Sequence, residues 1–129
     1  MEVFEVMTHT DYLPTERTHA MVNTSTTPLD LILLLYDSAI YHIQKALFSI
    51  KARNDIQKSY HLSKTIAIIE ELTASLNLKE GREVAIDLQN LYVRMLRELS
   101  IASVKNDMIR VSHVEMLLRE LRYAWRQLR

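Results

Sequence analysis

The sequence predicts an all-α protein, an antiparallel up-down-up-down four-helix bundle preceded by an N-terminal tail or short helix. Two observations indicate this class. The 129 residues include one Gly and two Pro, and after Leu29 only Gly81 interrupts the chain strongly. Sheets need frequent turn residues, so this scarcity favours long helices with short connections. In addition, apolar residues recur at alternating spacings of three and four along four successive segments, as in helices that bury one stripe.

The amino-acid composition argues against several classes of function. Hydrophobic residues make up 48% of the chain, which is a globular composition that suits one domain. Sixteen basic and sixteen acidic residues cancel, so no global charge draws the chain to nucleic acid or to an anionic membrane. No apolar run approaches the ~20 residues of a membrane-spanning helix, and we expect no membrane insertion. The lack of cysteine fits a reducing compartment, and we expect a cytoplasmic protein.

Residues 1–27 are predicted to be a polar tail, docked on the bundle that residues 28–129 form. Thr, Ser and Asn are frequent there, and these residues favour caps and turns over helix interiors. The tail is also acidic, whereas residues 105–129 are basic, so the two segments could attract each other.

The first long helix has a clear start. Thr27 can cap it, Pro28 suits its first position, and Asp30 can complete a capping pair. We expect this helix to end near residue 53, where Asn54-Asp55 offers a stop and a new cap. Its seam of apolar side chains consists of Leu29, Ile32, Tyr36, Ala39, Ile43, Ala46 and Ile50.

Three further helices follow the same pattern. The second is predicted over about residues 56–76, a loop over 77–81, and the third helix over about 82–105. Asn106-Asp107 makes the next turn, and the fourth helix begins at about Met108. Short connections between helices of similar length favour antiparallel neighbours.

The first helix carries one apolar row more than a bundle needs. Leu34, Tyr41 and Phe48 recur every seven residues on the side away from the seam, and Leu31 and Leu35 are interpreted as extending this row. No helix is central in a four-helix bundle, so something else must cover the row: the tail, a second subunit or a partner. An amphipathic segment of another protein would suit such a surface. We therefore predict partner contacts at these five residues.

No enzymatic chemistry is predicted, and neither are catalytic residues, metal ligands or cofactors. A di-iron bundle needs paired Glu-x-x-His motifs in its core, but the sequence has only Glu16 to His19, in the tail. A single Gly cannot build a phosphate loop or a nucleophile elbow.

One alternative involves histidine. Phosphotransfer domains are also four-helix bundles, with an exposed His followed by Lys three residues later and Gly at the fourth position. His42 is followed by Lys45 and His61 by Lys64, but Ala46 and Thr65 stand where Gly would be expected. A histidine phosphotransfer domain is therefore the alternative from another functional class.

Several segments together resemble one known family. They are Thr27-Pro28-Leu29 and residues 34–40, 68–72, 75–76, 88–92, 99 and 117–125. In this order and spacing they are similar to the flagellar secretion chaperone family FliS, over roughly residues 24–126. The chain departs from the family pattern at Ser38, where Gly is usual, at Ala102-Ser103, where Ala-Asn is usual, and in the single Gly of the loop at 77–82.

The resemblance implies a cytoplasmic bacterial chaperone that binds the C-terminal helical region of flagellin. Such proteins prevent premature polymerisation and help to deliver flagellin to the flagellar type III export gate, so flagellin and an export gate component are the expected partners. Tyr36 and Asp37 match the family's Leu-Tyr-Asp segment and join the predicted contact residues. We expect a monomer or a weak homodimer.

Overall fold

Within residues 27–128, which a computed structural model describes, the chain folds into four α-helices. They are α1 (Pro28–Lys51), α2 (Asp55–Ala74), α3 (Leu78–Lys105) and α4 (Met108–Arg126). The predicted all-α class is confirmed. The predicted docking of the N-terminal tail concerns residues that lie, except for Thr27, outside the described part of the chain.

The predicted start of α1 is confirmed. The Thr27 side chain accepts a hydrogen bond from the backbone N–H of Asp30 at 3.1 Å, and Pro28 occupies the first turn. The helix ends at Lys51, two residues before the predicted end. Arg53 then adopts a positive φ of 56°, which reverses the chain before the next helix.

Each later helix begins at a polar cap. The side chains of Asn54, Asn77 and Asp107 all accept hydrogen bonds from backbone N–H groups of the first turn that follows. Asn106 ends α3 in the left-handed conformation, which asparagine tolerates better than most residues.

The predicted loop at residues 77–81 is wrong. Asn77 instead caps a helical turn that forms the beginning of α3. The helix is kinked at Arg82, whose φ of 51° and ψ of −133° depart from helical values. Our interpretation relied on Gly81 as a breaker, but this residue is buried and helical, and the break falls one residue later.

The four helices pack in a ring. Each helix packs against its neighbours in sequence, and α1 also packs against α4, which closes the bundle. The connections of two or three residues leave only antiparallel neighbours possible.

Two tyrosines and one tryptophan form a hydrogen-bond network in the core. The indole Nε1 of Trp125 in α4 donates to the Tyr36 hydroxyl in α1 at 3.3 Å, and the Tyr36 and Tyr92 hydroxyls share a hydrogen bond of 2.5 Å. Burial raises the pKa of Tyr36 to about 12 and raises that of Tyr92 well above its usual value. This network joins α1, α3 and α4, so it fixes how they sit against each other.

Lys58 ties together the end of the bundle where α2 begins. Its side chain is buried, and Nζ donates to the Ser103 carbonyl at 3.0 Å and to Asn106 Oδ1 at 2.7 Å. Asp55 lies 3.7 Å from the same ammonium group. The positive charge therefore meets the last turn of α3, where free carbonyl groups and the helix dipole favour a cation.

Candidate partner-binding surface

The outer row of α1 is exposed, as the seven-residue spacing predicts. Leu34 is 48%, Tyr41 52% and Phe48 71% exposed. The row runs along α1 for about 21 Å at 1.5 Å per residue. We define these three residues as the α1 row. The bundle leaves this apolar surface in contact with solvent, which is unusual unless a ligand or partner covers it.

Leu31 and Leu35 do not belong to this exposed row. Both are buried, so our interpretation of them as its extension is wrong. At about 100° per residue, Leu35 lies only about 20° from His42, which faces His61 of α2. Leu35 therefore points towards α2 rather than outwards. Partner contact at these residues stays a prediction, and it would require movement of the surrounding structure.

Tyr36 and Asp37 lie on different sides of α1. Tyr36 is fully buried in the hydroxyl network of the core. Asp37 is exposed and forms a salt bridge with Arg122 of α4. Asp37 is thus accessible to a partner, whereas the Tyr36 side chain acts in this structure by holding α1 in place.

A second exposed row lies on α4. Ile109 is 82%, Met116 50% and Tyr123 67% exposed, and these residues are also seven apart. We define them as the α4 row. Our sequence interpretation missed it, although the signal was present: the three side chains lie opposite the buried stripe of Val111, Val114, Leu118 and Trp125.

The two rows run on adjacent helices, one on each side of the α1–α4 groove. The Asp37–Arg122 salt bridge crosses this groove and fixes the register. Because the helices are antiparallel, Leu34 lies near the level of Tyr123, Tyr41 near Met116, and Phe48 near Ile109. A partner that covers both rows must therefore wrap around two faces of the bundle.

Arginines line the Tyr123 end of this surface. Arg119, Arg122 and Arg126 border a cleft of about 340 Å³, together with Tyr123 and Gln127. Arg119 holds the Glu115 carboxylate through Nε and one terminal nitrogen, at 3.1 and 3.0 Å. Guanidinium groups have several donors, so an acidic group on a partner would share Arg119 with Glu115 and Arg122 with Asp37.

Two histidines that are distant in sequence meet on the α1–α2 face. Nδ1 of His42 and Nδ1 of His61 lie 3.0 Å apart. Burial lowers the pKa of both imidazoles, the neighbouring histidine and Lys64 lower that of His42 further, and Lys45 that of His61. The sequence placed these histidines on separate helices with no local ligand spacing, so only the packing of α1 on α2 brings them together.

Other site types find no support within the described residues. Between residues 27 and 128, no three His, Cys, Asp or Glu side chains form a group that could hold a metal ion. None of the four helices is both long and apolar enough to cross a membrane.

A four-helix bundle with exposed apolar rows of this kind offers surfaces that suit polypeptide partners. The family model described as "Flagellar protein FliS" matches residues 13–129, and the chain belongs to this family. It is similar to the flagellar secretion chaperone FliS of Salmonella typhimurium, at 35% identity over 105 residues, which cover 81% of this chain and 78% of that protein. The chaperone of the same name from Bacillus subtilis is 34% identical over 106 residues, with 82% and 77% covered.

This membership settles the broad function. The protein is a flagellar secretion chaperone and not an enzyme. The phosphotransfer alternative gains no support, since the family consists of chaperones and the two histidines concerned hydrogen-bond each other.

Proposed function

We propose that this protein acts in the cytoplasm, where it binds the C-terminal helical region of flagellin through the α1 and α4 rows. Binding keeps flagellin from polymerising prematurely, and the complex is delivered to an export gate component of the flagellar type III export apparatus. The observation that carries the proposal is the pair of exposed rows, because the bundle is complete without them. The names of the relatives, which describe secretion chaperones, support it.

The spacing of the rows suits helical ligands. Side chains seven residues apart lie at nearly the same angle on a helix, so each row presents a straight apolar edge about 21 Å long. An amphipathic helix of about four turns can lay its own apolar stripe along such an edge. Two rows on adjacent outer faces therefore suit a partner with more than one helical segment.

A partner that is disordered when free explains why a stable bundle exposes so much apolar surface. Such a segment loses conformational entropy when it folds on its binding partner, and burial of apolar area must offset that loss. Leu34, Tyr41 and Phe48 supply this area on α1 without taking part in the bundle core. The Arg-lined cleft adds specificity for an acidic residue of the partner.

Calorimetric titration of the full chain with a peptide of the flagellin C-terminal region tests the proposal. Tyr41→Asp and Leu34→Asp place a charge in the covered surface, and we expect each to weaken binding by about 30-fold or more. The matched controls are Val93→Asp and Ile86→Asp on α3. Their side chains are 54% and 45% exposed, close to the values for Tyr41 and Leu34.

The control variants show whether a new surface charge weakens peptide binding only within the α1 row or at any exposed apolar position. We expect them to bind the peptide like the unchanged chain. Equal loss in row and control variants would refute the location of the site, and full binding by the row variants would refute the proposed use of the α1 row. Helical content measured by circular dichroism confirms that each variant is folded.

A further inference from the structure

The same pattern, Tyr-His-x-x-Lys, occurs at residues 41–45 of α1 and 60–64 of α2. The two helices are antiparallel, so the copies are related by an approximate twofold rotation with the two histidines at its centre. Their Nδ1 atoms lie 3.0 Å apart, and both residues are only partly buried. The pair is not part of the core packing, since neither imidazole belongs to the buried apolar cluster.

We propose that His42 and His61 form a two-ligand site for a divalent transition-metal ion that prefers imidazole, Cu²⁺ or Ni²⁺. The Nδ1 separation carries this assignment. With metal–nitrogen bonds of about 2.0–2.1 Å, two nitrogens 3.0 Å apart subtend about 95° at the metal. That angle matches neighbouring positions of a tetragonal or octahedral ion, whereas a tetrahedral ion would need about 3.3 Å.

The surrounding rings hold the imidazoles in place. The Tyr41 ring meets His42 edge to face, with centroids 5.1 Å apart, and Tyr60 meets His61 in the same way at 5.0 Å. Each tyrosine also contacts the histidine of the other helix, at 6.4 Å for Tyr41 and 6.3 Å for Tyr60. Ligands that are already oriented lose little entropy on binding.

Water completes the coordination shell. No carboxylate or third histidine of the described residues joins the pair, so the chain supplies two ligands and leaves the other positions open. The ammonium groups of Lys45 and Lys64 lie over the Tyr41 and Tyr60 rings, 5.6 and 5.5 Å from their centroids. Both lysines are exposed, so solvent and salt screen their repulsion of a cation.

An ion at this site would join α1 to α2 directly. It binds only when the two helices are packed, so it stabilises the folded state by mass action. The site adjoins the proposed flagellin contacts, since Tyr41 contributes to both surfaces.

Calorimetric titration of the full chain, without an affinity tag, with NiCl₂ and separately with CuSO₄ tests the site. We expect one ion per chain. His42→Ala and His61→Ala should each weaken binding by about tenfold or more, because a single remaining ligand loses the benefit of chelation. His113→Ala is the matched control, since this α4 histidine bonds to Glu98 instead, and it should bind like the unchanged chain.

Two further measurements do not depend on the variants' folding. Electron paramagnetic resonance of the Cu²⁺-loaded chain should show coupling to two imidazole nitrogens, and NiCl₂ should raise the Tm of the unchanged chain, whereas MgCl₂ should not. Absence of binding, a single nitrogen in the spectrum, or an equal loss in the His113→Ala control would each overturn the proposal.

Discussion

The outer faces of α1 and α3 carry different side chains, although both helices contribute a buried stripe to the core. The outer face of α3 combines exposed polar residues such as Asp87, Asn90, Arg94 and Arg97 with the aliphatic side chains of Ile86 and Val93, while that of α1 carries Leu34 and the aromatic side chains of Tyr41 and Phe48. The α3 face therefore shows that a helix of this bundle does not need exposed aromatic side chains on its outer side. The apolar outer face of α1 costs solubility without adding to the core, which is physically reasonable only if a partner covers it.

The largest effect on stability should appear when a charge is placed on the core face of α1 rather than on its outer face. Ile43→Asp puts a carboxylate into the core, where Ile43 is fully buried, and we expect it to destabilise the fold by about 4 kcal/mol or more. Tyr41→Asp, two residues away on the exposed face, should change the free energy of unfolding by only about 0.5 kcal/mol. Urea denaturation measures both. Similar losses in the two variants would contradict the division of α1 into a core face and an outer face.

The next largest effect should be on the pH dependence of stability, where the buried Tyr36 and the exposed Tyr41 of α1 should behave differently. Tyr36 has a folded pKa of about 12 against an ordinary value of 10.0, so the unfolded chain releases this proton first. The stability that the Tyr36 hydroxyl contributes is therefore complete below pH 10 and falls as the pH rises from 10 towards 12, by roughly 2–3 kcal/mol, and buried Tyr92 adds to the same decline.

Denaturation curves between pH 9 and 11.5 check this. Tyr36→Phe should make the decline shallower, with the remainder due to Tyr92, although it lowers stability at neutral pH by removing the hydrogen bonds to Tyr92 and Trp125. Tyr41→Phe, with the same chemical change at an exposed position, should retain the full slope. A decline that is equally steep in all three proteins would show that the buried hydroxyl network does not cause it.

A smaller effect on peptide affinity should show whether the α4 row binds the flagellin peptide, as proposed for α1, or takes no part in binding, as expected for α3. Met116→Asp lies in the centre of the α4 row, and we expect it to weaken binding of the flagellin peptide about tenfold, or roughly 1.4 kcal/mol. Val104→Asp, at a still more exposed apolar position on α3, serves as the control. If Met116→Asp binds normally, the ligand covers α1 alone and the α4 row has another role.

The smallest effect concerns the salt bridge between the rows. Asp37 and Arg122 are both partly exposed to solvent, so we expect a coupling energy of at most about 1 kcal/mol for the stability of the free protein. A double-mutant cycle with Asp37→Asn and Arg122→Gln, measured by urea denaturation, gives this value. A coupling several times larger would show that the pair holds α1 against α4 rather than merely crossing their groove.

Part of the candidate surface was predictable and part was not. Leu34, Tyr41 and Phe48 could be predicted from periodicity alone, since their angle on the helix places them opposite the seam. The same seven-residue spacing, opposite the buried stripe, also predicts the α4 row of Ile109, Met116 and Tyr123. Leu31 and Leu35 were misassigned because a helix in a bundle has two flanks, and periodicity does not say which flank meets a neighbouring helix.

By itself, the sequence determined the four helices, the caps at Thr27 and Asn54, and the surplus of apolar surface on α1, because these depend on local backbone preferences and on helical repeat. Only the tertiary structure decided which side chains meet across helices. The Tyr36–Tyr92–Trp125 network, the Lys58 contacts with α3 and the His42–His61 pair each join residues at least 19 positions apart. Such pairs depend on the relative shift and rotation of packed helices, which no periodicity within a single helix specifies.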